Sequence, residues 1–227
     1  MSKFALHGTR YVNNDGEKVP SVTTIINPHL GWNKQVLINW AKRITLGGQD
    51  ADKVLNEAGD IGTLLHLLIE GHQRGFDVDT KDFSSNQEKA AMKAFAGYLQ
   101  WYEKKNFKSL ANELVLVNEE LQVGGTIDCI GKMGEDLVVV DWKTSAYLYP
   151  ENKLQLSAYC YMYEQAQPKA NIAYGLVMRF GKEDGKFHQH VIKREKLETG
   201  IEVFKALVQI SQLKKYIRAG QAPSLMR

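Results

Sequence analysis

The chain has 227 residues, 44% apolar and 24% charged, with 5 prolines and 19 glycines, a composition that excludes a disordered chain, a collagen-like repeat and a low-complexity linker. That length fits one domain, or one domain with an appended helical part, and buries about 70% of the unfolded surface without staples. The formal net charge of +3 is too small to announce nucleic acid by itself, and the longest apolar run, Ile172–Met178, is too short to cross a membrane.

In chain order, the first helix expected from apolar spacing is Asn33–Leu46, with Val36, Leu37, Trp40 and Ile44 three to four residues apart. A second runs from about Ile61 to Arg74, with Leu64, Leu65, Leu68 and Ile69 apolar. A third starts at Ser85, where Ser85 and Glu88 have capping-box spacing, and continues to about Lys105. Strands follow at Asn112–Glu119, Gly125–Lys132 and Leu137–Lys143. Pro150 opens a helix to about Gln165. Strands Ile172–Phe180 and Phe187–Lys193 come next, then a helix from Thr199 to Ala219 stopped by Gly220. No repeat is visible, and the order of elements predicts a mixed α/β fold.

Cys129 and Cys160 are too few for a disulfide framework, a four-cysteine zinc site or a four-cysteine iron–sulfur cluster. Their apolar neighbours predict buried, reduced thiols. Met1-Ser2-Lys3-Phe4 has no signal-peptide core, so a cytoplasmic protein is expected. Charge is unevenly distributed: Glu113–Asp141 holds seven acids against one lysine, and Lys193–Arg227 holds eight bases against three acids. An acidic centre with basic flanks suits a metal-dependent enzyme acting on a polyanion, and equally suits chance clusters on solvated faces.

The hairpin is more specific. A turn centred between Gly134 and Glu135 sets Asp128 directly across from Asp141. Opposed Cβ atoms lie about 4.5–5.5 Å apart, where like charges repel. Two carboxylates in the ladder of Ile127, Ile130 and Val138–Val140 call for a counter-charge, and a divalent cation is the natural candidate. Lys143, two residues beyond Asp141, shares its face. The acid-x-Lys triplet is weak evidence, since the chain contains five, and a salt bridge from Lys143 to Asp128 or Asp141 is the plain alternative.

Gln155 and Tyr159 are spaced i, i+4 on one helix face, and so are His66 and Glu70. Each pair is also what an ordinary amphipathic helix displays, and Glu113 at the opening of a strand has an equally bland explanation. Trp32, Trp40 and Trp101 fit a core better than a ligand site. Tyr147 and Tyr149, in the loop after the Asp141 strand, are better placed to stack on unpaired bases. Lys205, Lys214, Lys215 and Arg218 give the last helix a basic face, more simply solvated than bound to phosphate.

Together these residues carry a resemblance. Gly125-Thr126-Ile127-Asp128-Cys129-Ile130, Val140-Asp141-Trp142-Lys143-Thr144-Ser145 and Gln155-x-x-x-Tyr159, preceded by Gly62-x-x-x-His66-x-x-x-Glu70, resemble the RecB-like branch of the PD-(D/E)XK nucleases. Within it the chain is most similar to mitochondrial genome-maintenance exonucleases and their phage and bacterial relatives, and Pro20-Ser21-Val22-Thr23-Thr24-Ile25 resembles the opening of phage members. The resemblance spans about residues 20 to 217. Ile127 stands where the family often has proline, and the cysteine cluster of some relatives is absent, so no iron–sulfur cluster is implied.

The resemblance implies a restriction-endonuclease-like core of order αβββαβ with additional N-terminal helices. It implies one nuclease domain over 1–227, with a helical part at about 1–107 carrying the His motif, a catalytic sheet and helix at about 108–193, and a C-terminal helix at about 194–227. Asp128, Asp141, His66 and the Trp142 carbonyl would ligate Mg²⁺ or Mn²⁺. Lys143 would position the attacking water and stabilise charge on the scissile phosphate, Gln155 and Tyr159 would orient Lys143 or a phosphate, and Glu113 would support the metal shell or position the strand end. The implied activity is a DNA exonuclease acting on single strands or free ends, in bacterial cytoplasm or a phage host. A junction resolvase, a restriction-type endonuclease and a non-catalytic nucleic-acid-binding module on the same fold are the alternatives.

Overall fold

The structure, a computed structural model, describes residues 10–30 and 34–219. The expectations for Met1–Phe4, Trp32, Asn33 and Gly220 lie outside those residues. A short hairpin of β1 (Tyr11–Val12) and β2 (Lys18–Val19) is followed by helices α1 (Val22–Leu30), α2 (Lys34–Leu46), α3 (Ala51–Arg74) and α4 (Ser85–Lys105). Then come β3 (Phe107–Asn118), β4 (Val123–Met133), β5 (Asp136–Lys143), α5 (Pro150–Ala166), β6 (Tyr174–Phe180), β7 (Phe187–Lys193) and α6 (Arg194–Ala219). Strands β3 to β7 form one five-stranded sheet in sequence order, antiparallel except for the parallel β5–β6 pair across α5. No helix among the described residues is long and apolar enough to cross a membrane.

Strand alternation sends the two faces of β5 into different cores. Val138, Val140 and Trp142 pack with Leu65 and Ile69 of α3 and with Ala94, Tyr98 and Trp101 of α4. Val139 packs instead with Ile25 and Ile26 of α1, Leu156 of α5 and Phe204 of α6. The result is a sheet buried between two helical layers, which explains why its central strands read as continuous apolar runs.

Several elements begin elsewhere than their patterns suggest. Helix α3 starts at Ala51, ten residues before the expected Ile61, because Asp50 caps it by accepting from the Asp52 and Lys53 N–H groups. Its interior Gly59 and Gly62 hide that start, since glycine lowers helix propensity. The capping box of α4 is Ser84 with Gln87, not Ser85 with Glu88. Strand β3 starts at Phe107 rather than Asn112, its alternation broken by a bulge between Ser109 and Ala111. Helix α6 follows β7 directly at Arg194 rather than Thr199. Helix α1 escapes pattern reading because its β-branched residues are poor helix formers and Pro28 lies inside it.

Helix α2 corrects an expectation. Its apolar spacing suggests a core face, yet no residue of it is buried, and Val36 and Leu37 are each 56% exposed. Trp40 is only half-buried, whereas Trp101 is fully buried as expected.

Close packing also joins α4 to the β6–β7 turn. A Cβ on Gly97 would lie 2.4 Å from the Gly185 carbonyl oxygen. Gly97→Ala gains about 1 kcal/mol of helix propensity but must push backbone from backbone, at a typical cost of ~1–3 kcal/mol. A lowered urea midpoint with unchanged slope is therefore expected, and a raised midpoint would show that this contact is loose.

Candidate active site

The β4–β5 register is the one inferred from the turn: Met133 pairs Asp136 and Cys129 pairs Val140. Gly134, at φ +63°, supplies the left-handed residue the tight turn needs. The ladder ends at Cys129–Val140, and the next position in register carries the two acids. There the Asp128 Oδ2 accepts the Trp142 backbone N–H at 2.8 Å. Asp141 lies in β5 beside Val177 of β6 and has no exposed surface.

Lys143 extends along the same face and its Nζ donates to Asp141 Oδ1 at 2.5 Å. The second oxygen, Asp141 Oδ2, is buried without a hydrogen-bond partner among the described residues. Burial pushes the Asp141 carboxyl up to about 6 against the opposing pull of Lys143. For Lys143, burial favours the neutral amine, but Asp141 and Asp128 outweigh it and raise its pKa.

His66 comes from α3, below the open end of the hairpin. Its Nε2 lies 3.0 Å from the Trp142 carbonyl oxygen, which can only accept, so this nitrogen carries a proton. Its Nδ1 therefore faces the carboxylates, 3.5 Å from Glu113 Oε1 and 3.9 Å from Asp128 Oδ1. Burial alone would lower the His66 pKa, but Asp128 and Glu113 overcome it and push the ring up to about 9. Asp128 is raised too, burial outweighing the pull of His66 and Lys143.

Glu113 arrives by an unusual backbone route. It sits at φ +48°, a left-handed conformation inside a strand, between the Asn112–Cys129 and Leu114–Ile127 pairs. Such a residue costs of order 1–3 kcal/mol and persists only where surrounding structure enforces it. One oxygen of Glu113, one of Asp128 and one nitrogen of His66 lie within 4.8 Å of one another. Two hard carboxylate oxygens and an imidazole suit Mg²⁺ or Mn²⁺. Asp141 stands outside this trio, paired with Lys143, and Trp142 turns its carbonyl to His66.

Gln155 and Tyr159 of α5 close the same cleft, the Gln155 amide donating to the Tyr159 hydroxyl at 3.1 Å. The cleft, about 580 Å³, is also lined by Tyr11, Thr23, Thr126 and Lys182. Tyr11 reaches it because the β1–β2 hairpin folds over Gly124, where a Cβ would lie 2.1 Å from the Tyr11 ring, and its hydroxyl meets Thr126 at 3.0 Å. No sequence pattern announces Tyr11, and Gly124, which leaves room for its ring, is its one trace.

Other candidates fall away from the cleft. Glu70 turns to Arg74 on its own helix. Tyr147 is 69% exposed, while the Tyr149 backbone caps α5 through Asn152. Lys205 pairs with Glu202 and covers the Tyr161 ring. The side chains of Lys215 and Arg218 lie outside the described residues.

Residues 39–224 match the family model described as the PD-(D/E)XK nuclease superfamily. Comparison with curated proteins gives no match. Among solved structures, the chain is similar to a candidate exonuclease from Eubacterium rectale, at 12% identity and TM-score 0.50, over 72% of this chain and 69% of that one. It is also similar to the alkaline exonuclease LHK-Exo of Laribacter hongkongensis, at 10% identity and TM-score 0.34, over 70% of this chain and 84% of that one. A third, SSO0001, has 12% identity and TM-score 0.35 over 58% of this chain, which spans 64% of SSO0001.

Proposed function

Because the chain belongs to the PD-(D/E)XK nuclease superfamily, we propose that it is a metal-dependent deoxyribonuclease, and specifically an exonuclease acting on single-stranded DNA or free ends. The observation that carries this reading is the meeting of His66, Glu113 and Asp128 within 4.8 Å, in the cleft that also holds Lys143. The exonuclease part rests on the order of Gly62…His66, Asp128, Asp141-x-Lys143 and Gln155-x-x-x-Tyr159, the RecB-like order.

His66, Glu113 and Asp128 would hold Mg²⁺ or Mn²⁺, with the unpartnered Asp141 Oδ2 as the further oxygen nearest in sequence to Lys143. When bound, the ion supplies Lewis acidity toward the scissile phosphate and acidifies a water. The protein supplies position. Lys143, fixed by Asp141 and open to the cleft on its far side, holds the attacking water or the phosphate oxygen that gains charge. Tyr159 accepts from Gln155 and so keeps its own proton for a phosphate oxygen. Hydrolysis then places water's oxygen on phosphorus, and the departing sugar oxygen leaves with a proton.

End-labelled linear single strands, linear duplex and single-stranded circles, each with Mg²⁺, Mn²⁺ or EDTA, test this directly. Loss of linear strands with survival of circles is the expected result. Cut circles would assign an endonuclease, and no cutting with either metal would end the nuclease reading.

His66 adds a pH dependence. Below about 9 its Nδ1 holds a proton, which must leave before a metal binds there. Apparent Mn²⁺ affinity should therefore rise about tenfold per pH unit between pH 7 and 8.5, measured by calorimetry on the DNA-free protein. A pH-independent midpoint would remove His66 from the ligand set.

A further inference from the structure

We propose that Arg179 of β6 is a positioning residue that holds the cleft wall formed by Thr144, Ser145 and Ala146, and through it the end of β5 that carries Lys143. This rests on the nuclease reading of the cleft. The parallel β5–β6 register places Arg179 directly beside Lys143, with His188 of β7 on its other side. Laterally paired residues share a sheet face, so the guanidinium emerges beside the Lys143 stem and reaches past it.

What it reaches is backbone. The Nε donates to the Ser145 carbonyl at 2.9 Å, and Nη2 donates to the Ala146 carbonyl. Nη1 points to His190, 3.5 Å away. Burial and the Arg179 charge hold His190 below its usual pKa, so a neutral ring accepts from the guanidinium. Two of the three guanidinium nitrogens are thus committed to consecutive carbonyls of one segment, a planar fork that lysine cannot reproduce.

The segment needs such a tie. It follows the last ladder pair of β5, Lys143–Arg179, and precedes α5, so no strand partner holds it. Within it, the Ser145 hydroxyl donates to the Tyr147 carbonyl. On its other side Thr144 Oγ1 would lie 3.6 Å from a Cβ at Gly62, one turn before His66. Residues 144–146 therefore sit between Arg179 and α3 and line the cleft.

The test compares Arg179→Lys and Arg179→Ala with wild type, at a temperature where all three are folded by circular dichroism. The proposal expects kcat to fall at least tenfold in both, the usual effect of losing an outer hydrogen-bond partner, with KM for DNA and the Mn²⁺ midpoint within threefold of wild type. Millimolar guanidinium should restore much of the Arg179→Ala rate. Backbone amides of residues 144–149 should exchange hydrogen at least tenfold faster in both variants, with the rest of β5 unchanged. A wild-type kcat in Arg179→Lys would overturn the proposal, because charge alone would then suffice. A raised KM at constant kcat would overturn it in favour of a phosphate contact. If the wild type cuts no DNA, the nuclease reading fails, and the exchange rates still decide whether Arg179 holds the segment.

Discussion

Asp128→Asn is expected to lower DNA cleavage by ~10³-fold or more and to raise the melting temperature of the metal-free protein. The two effects have one origin. Asp128 is buried at the mouth of the hairpin, and burial raises its carboxyl pKa despite the nearby His66 and Lys143. A folded-state pKa above the unfolded value means that ionisation opposes folding at neutral pH. Asparagine keeps an oxygen for the Trp142 N–H while removing that charge, so the fold gains what the metal site loses. Melting in EDTA and in Mg²⁺ separates the two: the variant should lead in EDTA and lose the Mg²⁺-dependent rise. A variant that melts below wild type in EDTA would show that the Asp128 charge is already satisfied by His66.

Lys143→Ala should cost ~10²–10³-fold in rate while changing single-stranded DNA affinity little, since one phosphate contact among several is removed. Its stability should carry a distinct pH signature. Lys143 is the counter-ion of Asp141, whose carboxyl has no exposed surface and titrates at about 6 even with the ammonium 2.5 Å away. Without the lysine that pKa rises further. A raised folded-state pKa contributes stability at low pH that is lost as pH rises through it. The variant should therefore match wild type near pH 4 to 5 and fall behind by ~3 kcal/mol at pH 8, the cost of leaving one half of a buried pair. Adding Asp141→Asn should recover most of that deficit without restoring cleavage. A deficit equal at both pH values would point to lost packing of the lysine stem instead.

How legible the site is in the sequence depends on how its parts are held. Asp128 and Asp141 are readable because a tight turn fixes register and every residue back from Gly134 is then paired by counting. The apolar run Val138–Val140 is readable because both faces of β5 are covered. His66 is different: nothing in its helix separates it from a core histidine, and only the spacing shared with a family singles it out. Glu113 is less readable still. Its place beside His66 depends on a left-handed backbone within a strand, a conformation that no periodicity encodes. The expected metal set of His66, Asp128, Asp141 and the Trp142 carbonyl therefore stands beside a geometric trio in which Glu113 is central. Helix α2 shows the opposite failure, a spacing that implies burial in a segment with no buried residue. Arg179 carries no motif at all, and its place beside Lys143 is visible only once β5 and β6 are known to run parallel.

The placement of β5 between β4 and a later, parallel β6 has a consequence for how the chain comes off the ribosome. Until Tyr174–Phe180 is made, β5 has one open edge, and its Val138–Val140 run is the kind of exposed strand that pairs with other chains. The hairpin that brings Tyr11 to Thr126 must close a loop of 115 residues, and contacts so distant in sequence form slowly. A nascent or truncated chain ending before β6 thus holds His66, Asp128, Asp141 and Lys143 without the strands that complete their sheet. The groups of the cleft are synthesised before the strand that completes their sheet, and an unfinished copy presents an open strand edge that favours aggregation.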